Sequence, residues 1–171
     1  MRAILLIVAL GLAVVAAPVS AQTNTAIVAG QSIGGIRVGA NVSDAMTELG
    51  TIVDRTDTRN GKYTVYDWPL RPHLVIAEKE SGRIVLVLVA LTEAYRTDKG
   101  ITAGSERGAV ESAYGREFTT EDDDGSVSLI YDGLGITFEI GKVRSMSGRV
   151  VAIIVYGPGT WKATTEGLQG Q

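Results

Sequence analysis

The sequence repeats part of itself at a fixed interval, and no other feature constrains its fold as strongly. A Gly-Ile-x-x-Gly segment at residues 35–39 returns 65 residues later at residues 100–104. Residues 81–89 return as residues 147–155, now 66 positions later, with five of the nine positions identical and the other four apolar. A fixed period with one inserted residue is typical of tandem copies of one supersecondary unit. We therefore expect two copies of the same unit in this chain.

Each copy begins with the pattern of a short helix. In the first copy the helix is predicted at residues 44–49, after a cap at Asn41 or Ser43 and before Gly50, which can adopt the left-handed conformation that ends many helices. The corresponding helix of the second copy ends at Gly115, again 65 residues further on. Helices of this length are not stable alone in water, so both must lie on an apolar surface.

Four strands are predicted after each helix. Asn60-Gly61 and Asp124-Gly125 are pairs that favour two-residue hairpin turns, because their residues tolerate positive φ. A Ser-Gly turn near the end of each copy predicts a second hairpin. The strands are expected at residues 52–59, 62–68, 74–77 and 83–91 in the first copy, and at 117–120, 126–131, 136–140 and 149–156 in the second.

The last strand of each copy is apolar without interruption. Residues 84–91 are eight consecutive apolar residues, and residues 150–155 have the same character. An antiparallel strand with one wet face should alternate between apolar and polar residues, so both faces of these strands are expected to be covered. The sequence therefore predicts an α+β fold of two tandem repeats, each a short helix plus four antiparallel strands, with the two sheets packed together or joined side by side.

The N-terminus has the features of a bacterial export signal. Arg2 supplies a positive charge, residues 3–17 are apolar and interrupted only by Gly11, and Val19-Ser20-Ala21 is a small-x-small cleavage site that would leave Gln22 first. The apolar run is shorter than the roughly 20 residues that a membrane span needs. We expect the mature protein to be periplasmic or secreted, with no transmembrane segment after cleavage.

Composition narrows the function further. The sequence contains no cysteine, which excludes disulfides and a lipid anchor on an N-terminal cysteine. Without Arg2 the chain has 15 basic and 19 acidic residues, a mild negative charge that argues against binding nucleic acid. The predicted organisation is a signal peptide at 1–21, repeat 1 at 22–92, repeat 2 at 93–157, and a flexible C-terminal tail at 158–171 in which Trp161 can dock back on the body.

The repeated pattern resembles a known module. Gly-Ile-x-x-Gly before a short helix that ends in Leu-Gly or Tyr-Gly, followed by strands that close on Gly-Arg-Val-x-x-Ile-x-Val, is similar to the helix-plus-sheet unit of the β-lactamase inhibitor proteins. It is also similar to the unit of BamE, a lipoprotein of the outer-membrane barrel-assembly machinery. The resemblance covers residues 33–156. It implies secreted or periplasmic binding modules rather than enzymes.

Candidate catalytic and metal-binding residues are few. Ser32 lies in a Gly-x-Ser-x-Gly pattern, but a second glycine-rich segment follows it where a nucleophile elbow needs a helix. His73, the only histidine, is expected to be a solvated or edge residue rather than a general base. Asp122 and Asp124 could offer oxygens to calcium, although a solvated hairpin turn is the favoured interpretation. We expect no enzyme activity and no cofactor.

Three aromatic residues are the candidate partner-binding surface. Tyr66 and Trp68 point to the same side of one strand because side chains alternate with a period of two, and Tyr131 occupies the equivalent position in the second copy. They would be interface anchors if their face is turned away from the helices. The alternative is that these rings are core residues beneath the helices.

The favoured function is accordingly an exported, non-enzymatic protein-binding module of the bacterial cell envelope, either an assembly factor or an inhibitor of a secreted enzyme. Its partner would be another envelope or secreted protein. The alternative is a periplasmic small-ligand-binding protein that uses the cleft between the repeats, which would require a concave apolar pocket with a few convergent polar groups.

Overall fold

The computed structural model describes residues 24–166 and residue 168, so the predicted signal peptide at 1–21 lies outside the described residues. The described residues form one large and one small β-sheet with three short α-helices. The helices are α1 (Val42–Leu49), α2 (Arg107–Tyr114) and α3 (Trp161–Glu166). The strands are β1 (Ala26–Val28), β2 (Ser32–Ile33), β3 (Ile36–Arg37), β4 (Asp54–Asp57), β5 (Tyr63–Asp67), β6 (His73–Glu78), β7 (Ile84–Ala90), β8 (Arg96–Thr97), β9 (Thr119–Asp122), β10 (Ser126–Tyr131), β11 (Ile136–Gly141) and β12 (Val150–Tyr156).

The large sheet has eight strands in the order β4-β5-β6-β7-β12-β11-β10-β9, and every neighbouring pair is antiparallel. Its centre is the pairing of β7 with β12, in which Leu88 lies opposite Ile154. The prediction of an α+β fold with few helices and mostly antiparallel sheets is confirmed. Of the two arrangements that the sequence left open, the structure has the strands joined side by side in one continuous sheet.

Equivalent backbone hydrogen bonds join the segments that precede α1 and α2 to the large sheet. The N–H of Gly39 donates to the carbonyl of Ile84 at 2.7 Å, and the N–H of Gly104 donates to that of Val150 at 2.8 Å. Both α1 and α2 end at glycines with positive φ, Gly50 at 99° and Gly115 at 85°, but their ψ angles of 168° and −174° are extended rather than the left-handed helical conformation that was predicted. Their starts differ, because Asn41 Oδ1 caps α1 by accepting from the Ser43 N–H at 3.0 Å, whereas α2 has no side-chain cap.

The packing of β7 and β12 explains why these two strands are apolar without interruption. Register shifts in the β6–β7 and β11–β12 pairings leave Val85 and Val151 as extra, bulged residues. On either side of each bulge, side chains point to opposite faces of the sheet. One face, which we call the helix face, is covered by α1, α2 and the small sheet and contains Val87 and Phe138. The opposite face, which we call the open face, is covered in part by α3.

The small sheet was not predicted. Its strand order is β3-β2-β1-β8, and it contains the one parallel pair of the described residues, β1 with β8. Strands of two or three residues carry too little alternation to be recognised in a sequence. Ile27 and Ile33 are its core residues, and both are buried beside the helices.

Two local predictions are corrected. Gly61 has a φ of 67°, but Asn60 does not have a positive φ, and the turn is closed by the Gly61 N–H, which donates to the Thr58 carbonyl at 2.8 Å. The β4–β5 connection is therefore longer than the predicted two-residue turn. Gly125 lies outside the left-handed region. The β9–β10 loop is instead closed by the Asp123 N–H, which donates to the Ser126 carbonyl at 3.0 Å. The stretch predicted as a flexible tail contains α3, and Trp161 is buried against the sheet, as the docked alternative predicted. Within the described residues, none of the helices has the length and hydropathy needed to cross a bilayer.

Candidate functional site

The predicted aromatic surface lies inside the molecule. Trp68 is 1% exposed and Tyr131 is 3% exposed, and both belong to the core between the sheet and the helices. Tyr66 is half-buried against the same core. The face that carries these rings is therefore the helix face, and the prediction that they present an exposed docking surface is corrected in favour of the core alternative.

Trp68 and Tyr131 have a structural role that explains their position. The indole N–H of Trp68 donates to the carbonyl of Gly50 at 2.8 Å, and the hydroxyl of Tyr131 donates to the carbonyl of Gly115 at 2.7 Å. Each bond satisfies a carbonyl at the end of a helix, where the helix itself supplies no donor. Burial raises the pKa of Tyr131 to about 12, so the hydroxyl stays protonated and able to donate.

His73 is also buried, contrary to the expectation of a solvated or edge residue. It is 2% exposed on the helix face of β6, pairs with Val89 on β7, and packs edge-on against the Tyr95 ring with a centroid distance of 4.9 Å. Neither ring nitrogen has a hydrogen-bond partner. Burial, and to a smaller extent the charge of Arg71, lowers the pKa of His73 from 6.5 to about 4. The ring is therefore neutral near pH 7.

The patterns considered for catalysis and metal binding are used structurally. Ser32 lies in β2, which forms a hairpin with β1 rather than a strand–turn–helix elbow. It is not hydrogen-bonded to His73, whose nitrogens have no partner. Asp122 forms an ion pair with Lys142. Among the described residues, no group of three or more His, Cys, Asp and Glu side chains is arranged to hold a metal ion.

The open face carries the surface that sequence analysis missed. Its α3 end is closed, because Trp161 packs on Tyr156 with a ring-centroid distance of 5.0 Å and its indole N–H donates to Glu121 Oε1 at 3.0 Å. Beyond α3 the face is uncovered. Leu74 and Leu88 are neighbours across β6 and β7 in this uncovered part, and both are half-buried rather than buried.

A groove of about 520 Å³ runs over this uncovered part. We define it by its apolar floor, made by Leu88, Ala152 and Ile154 of the two central strands, and by its acidic wall, made by residues of β9, β11 and the β9–β10 loop. The wall contributes the carboxylates of Glu121, Asp122, Asp123 and Glu139. None of the described residues that line the groove is basic.

The carboxylate of Glu139 is held in place. The Ser126 hydroxyl donates to its Oε2 at 2.7 Å, and the Ser128 hydroxyl donates to its Oε1 at 2.6 Å. Each carboxylate oxygen has two lone pairs, so each keeps acceptor capacity for a further donor. The sequence carried a weak signal of this site, since Glu139 is the only charged residue within the six residues of β11.

Comparisons with known proteins find a similar fold but identify no family. No protein-family model matches the sequence, and no curated protein matches it significantly. Among solved structures, the uncharacterised protein YfeY of Escherichia coli is similar with a TM-score of 0.54 and 16% identity, over 75% of this chain and 98% of that chain. At this identity the likeness shows a shared fold and nothing further.

Two longer proteins are less similar. A cysteine-rich secretory protein of Staphylococcus aureus gives a TM-score of 0.47 and 14% identity, over 70% of this chain and 44% of that chain. An extracellular protein of Bacillus anthracis that contains an SCP domain gives 0.49 and 9%, over 72% of this chain and 45% of that chain. This chain thus spans less than half the length of either. None of these three structures is described as a β-lactamase inhibitor protein or as BamE.

Proposed function

We propose that this chain is an exported, non-enzymatic protein-binding module of the bacterial cell envelope, acting as an assembly factor or as an inhibitor of a secreted enzyme. The observation that carries the proposal is the uncovered part of the open face. At the centre of this face Leu74 and Leu88 are half-buried, and they lie beside Ala152 and Ile154, which are 7% and 6% exposed. An apolar surface at the centre of a sheet with polar groups at its rim is typical of a protein interaction site. Export is supported by the charged, apolar and small-residue segments of residues 1–21.

The proposal that the chain performs no covalent chemistry is supported by the roles of its two candidate residues. Ser32 belongs to a hairpin strand, and His73 is enclosed by Tyr95 with both nitrogens unpaired. A general base must reach a proton on its substrate through a hydrogen bond. A ring that is 2% exposed does not offer that reach.

We also propose that the fold arose by tandem duplication. The fastening bonds of Gly39 and Gly104, the bulges at Val85 and Val151, and the glycines that end both helices recur at the sequence offsets of 65 and 66 residues. Duplication gives the sheet its even number of strands, and it makes the centre of the open face a seam between the two halves.

The first experiment measures partner capture by the open face. Mature protein is immobilised and exposed to periplasmic extract, and the bound proteins are compared with those held by the Leu88→Ser variant. Leu88 is the floor residue with the most central position, so its loss should reduce capture of a specific partner at least fivefold, which is the effect of losing an anchor worth more than about 1 kcal/mol. The thermal midpoint of the variant is measured alongside.

Leu70→Ser is the matched control, because Leu70 is 81% exposed in the β5–β6 loop and lies outside the groove. It should capture the partner as the original protein does. Equal capture by all three proteins would contradict the proposal. The alternative function, small-ligand binding, is favoured by the volume of the groove, about 520 Å³. It predicts a non-protein adduct in native mass spectrometry of the purified protein, and loss of that adduct in Leu88→Ser.

A further inference from the structure

We infer that the occupant of the groove is an extended protein segment that presents basic side chains beside apolar ones. The inference rests on the proposed function and names the chemistry of its partner. The groove combines an apolar floor at the β7–β12 seam with an acidic wall on one side, and these two parts select for different features of a ligand. A segment that satisfies both must place apolar groups on Leu88, the half-buried residue of the floor, and positive charges toward the wall.

Among the described side chains, the charge of the wall is neutralised only in part. Of its four carboxylates, Asp122 pairs with Lys142. Glu121 accepts only the neutral indole N–H of Trp161, and Glu139 accepts only the hydroxyls of two serines. Opposite charges that meet at an interface steer association and fix the orientation of the partner. The net negative field of this wall therefore favours a basic partner and disfavours an acidic one.

The position of the carboxylates also suits long basic side chains. Ser128 on β10 and Glu121 on β9 are register partners, and Glu139 on β11 lies opposite Ser128, so Glu121 and Glu139 lie in one row across the sheet. Ala152 of the floor continues the same row. Lysine and arginine can lay their aliphatic stems on such a floor while their charged groups reach the carboxylates. The Glu139 carboxylate, already oriented by two hydroxyls, can accept two parallel bonds from an arginine.

The test uses three labelled synthetic peptides and fluorescence anisotropy with the full mature protein. In the first peptide serine occupies every second position, and valine and lysine take turns at the positions between, so that both lie on one side of the extended chain. A central proline prevents self-association. The second peptide replaces every lysine by glutamate, and the third replaces every valine by serine. We expect the first to bind at least tenfold more tightly than either of the others, because only it matches both the wall and the floor. Its affinity should fall as salt is raised, because salt screens the exposed charges.

Variants of the wall assign the effect to the groove. The double variant Glu121→Gln/Asp123→Asn should weaken binding of the lysine–valine peptide about tenfold, and Glu139→Gln alone should weaken it severalfold. The control Glu80→Gln/Glu117→Gln removes two exposed acids outside the groove and should leave the affinity unchanged. Thermal midpoints identify any variant that is destabilised. In that case Asp123→Asn alone is used, because Asp123 is exposed on its loop.

Two results would overturn the inference: equal affinity for the lysine–valine and glutamate–valine peptides, or undiminished binding by the wall variants. If capture of the envelope partner still depends on Leu88 in that case, the open face is a docking surface for a partner of other chemistry. The proposed function then stands. If capture is independent of Leu88 as well, both the inference and the proposed function fail.

Discussion

Individual buried polar residues show how this protein uses its few aromatic and titratable side chains. Trp68 and Tyr131 each bring one polar atom to a helix end, so their burial completes hydrogen bonds that the helices leave open. His73 does the opposite, since neither of its nitrogens has a partner. A buried imidazole without partners is tolerated only when it is neutral, because the charged form would lose its hydration without compensation.

The first prediction at this scale concerns the pH dependence of stability. Because the pKa of His73 is about 4 in the folded protein and 6.5 when unfolded, the unfolded chain binds the proton more tightly, and stability is lost as pH falls from above 6.5 toward 4. The free energy of unfolding should fall by about 2 kcal/mol between pH 7 and pH 5. Urea titrations at these two pH values measure the change.

The comparison protein is His73→Phe, which keeps a ring against Tyr95 and cannot titrate. Its free energy of unfolding should be nearly constant between pH 7 and pH 5. Two carboxylates with lowered pKa values titrate below this window. The Arg83 side chain, with Ser81, holds the pKa of Glu78 at about 2, and Lys79, with Thr64, lowers that of Asp57, so both lose their stabilising charge only under more acidic conditions. An equal pH slope in both proteins would show that His73 is not the group responsible.

At the scale of the elements, α3 decides how much of the open face remains available. It is a short helix whose main anchor is Trp161, buried against Tyr156 and bonded to Glu121. Its position closes one end of the face over Ile76 and Leu86, which are 5% and 3% exposed. The uncovered remainder is the groove.

The anchor role of Trp161 gives the prediction at this scale. Trp161→Ala should lower the free energy of unfolding by about 3 kcal/mol, since it removes a large buried side chain and leaves Tyr156 partly exposed. Lys162→Ala, on the exposed side of the same helix, should stay within about 0.5 kcal/mol of the original protein. Urea denaturation followed by far-UV circular dichroism gives both values. A change of similar size in the two variants would mean that α3 is not held by Trp161.

The elements also show which parts of the fold the sequence could predict. All eight strands of the large sheet were predicted to within two or three residues, because β-branched runs and glycine turns are strong local signals. The equivalent positions of Gly39 and Gly104, whose N–H groups bond to the large sheet, could be anticipated from the 65-residue repeat. The small sheet and α3 could not, since their segments are short and become ordered only through contacts with distant residues such as Gly135 and Tyr156.

The site was the part that sequence reasoning located wrongly. Period-two alternation correctly put Tyr66 and Trp68 on one face of β5, but alternation does not state which face the helices cover. That choice depends on the long-range packing of α1 against Val75 and Val87. The groove escaped notice for a related reason, because its floor and wall come from strands that are remote in sequence and adjacent only in the sheet.

At the scale of the whole molecule, the continuous sheet brings together the two parts of the proposed docking surface. The pairing of β7 with β12 brings Leu88 and Ile154 together at the seam, and neither half has this strip alone. Its helix face is filled by the core, so a partner can reach the side chains of the central strands from the open face. We therefore expect partner contact to occur at the seam.

Site-specific photo-crosslinking in living cells tests this claim most directly. A benzophenone amino acid is introduced in place of Leu88 at the seam, or in place of Ile52, which is 71% exposed in the loop between α1 and β4. The account predicts a discrete crosslinked product with one envelope protein from position 88 and none from position 52. The same product from position 52, or no product from position 88 in correctly folded protein, would contradict it.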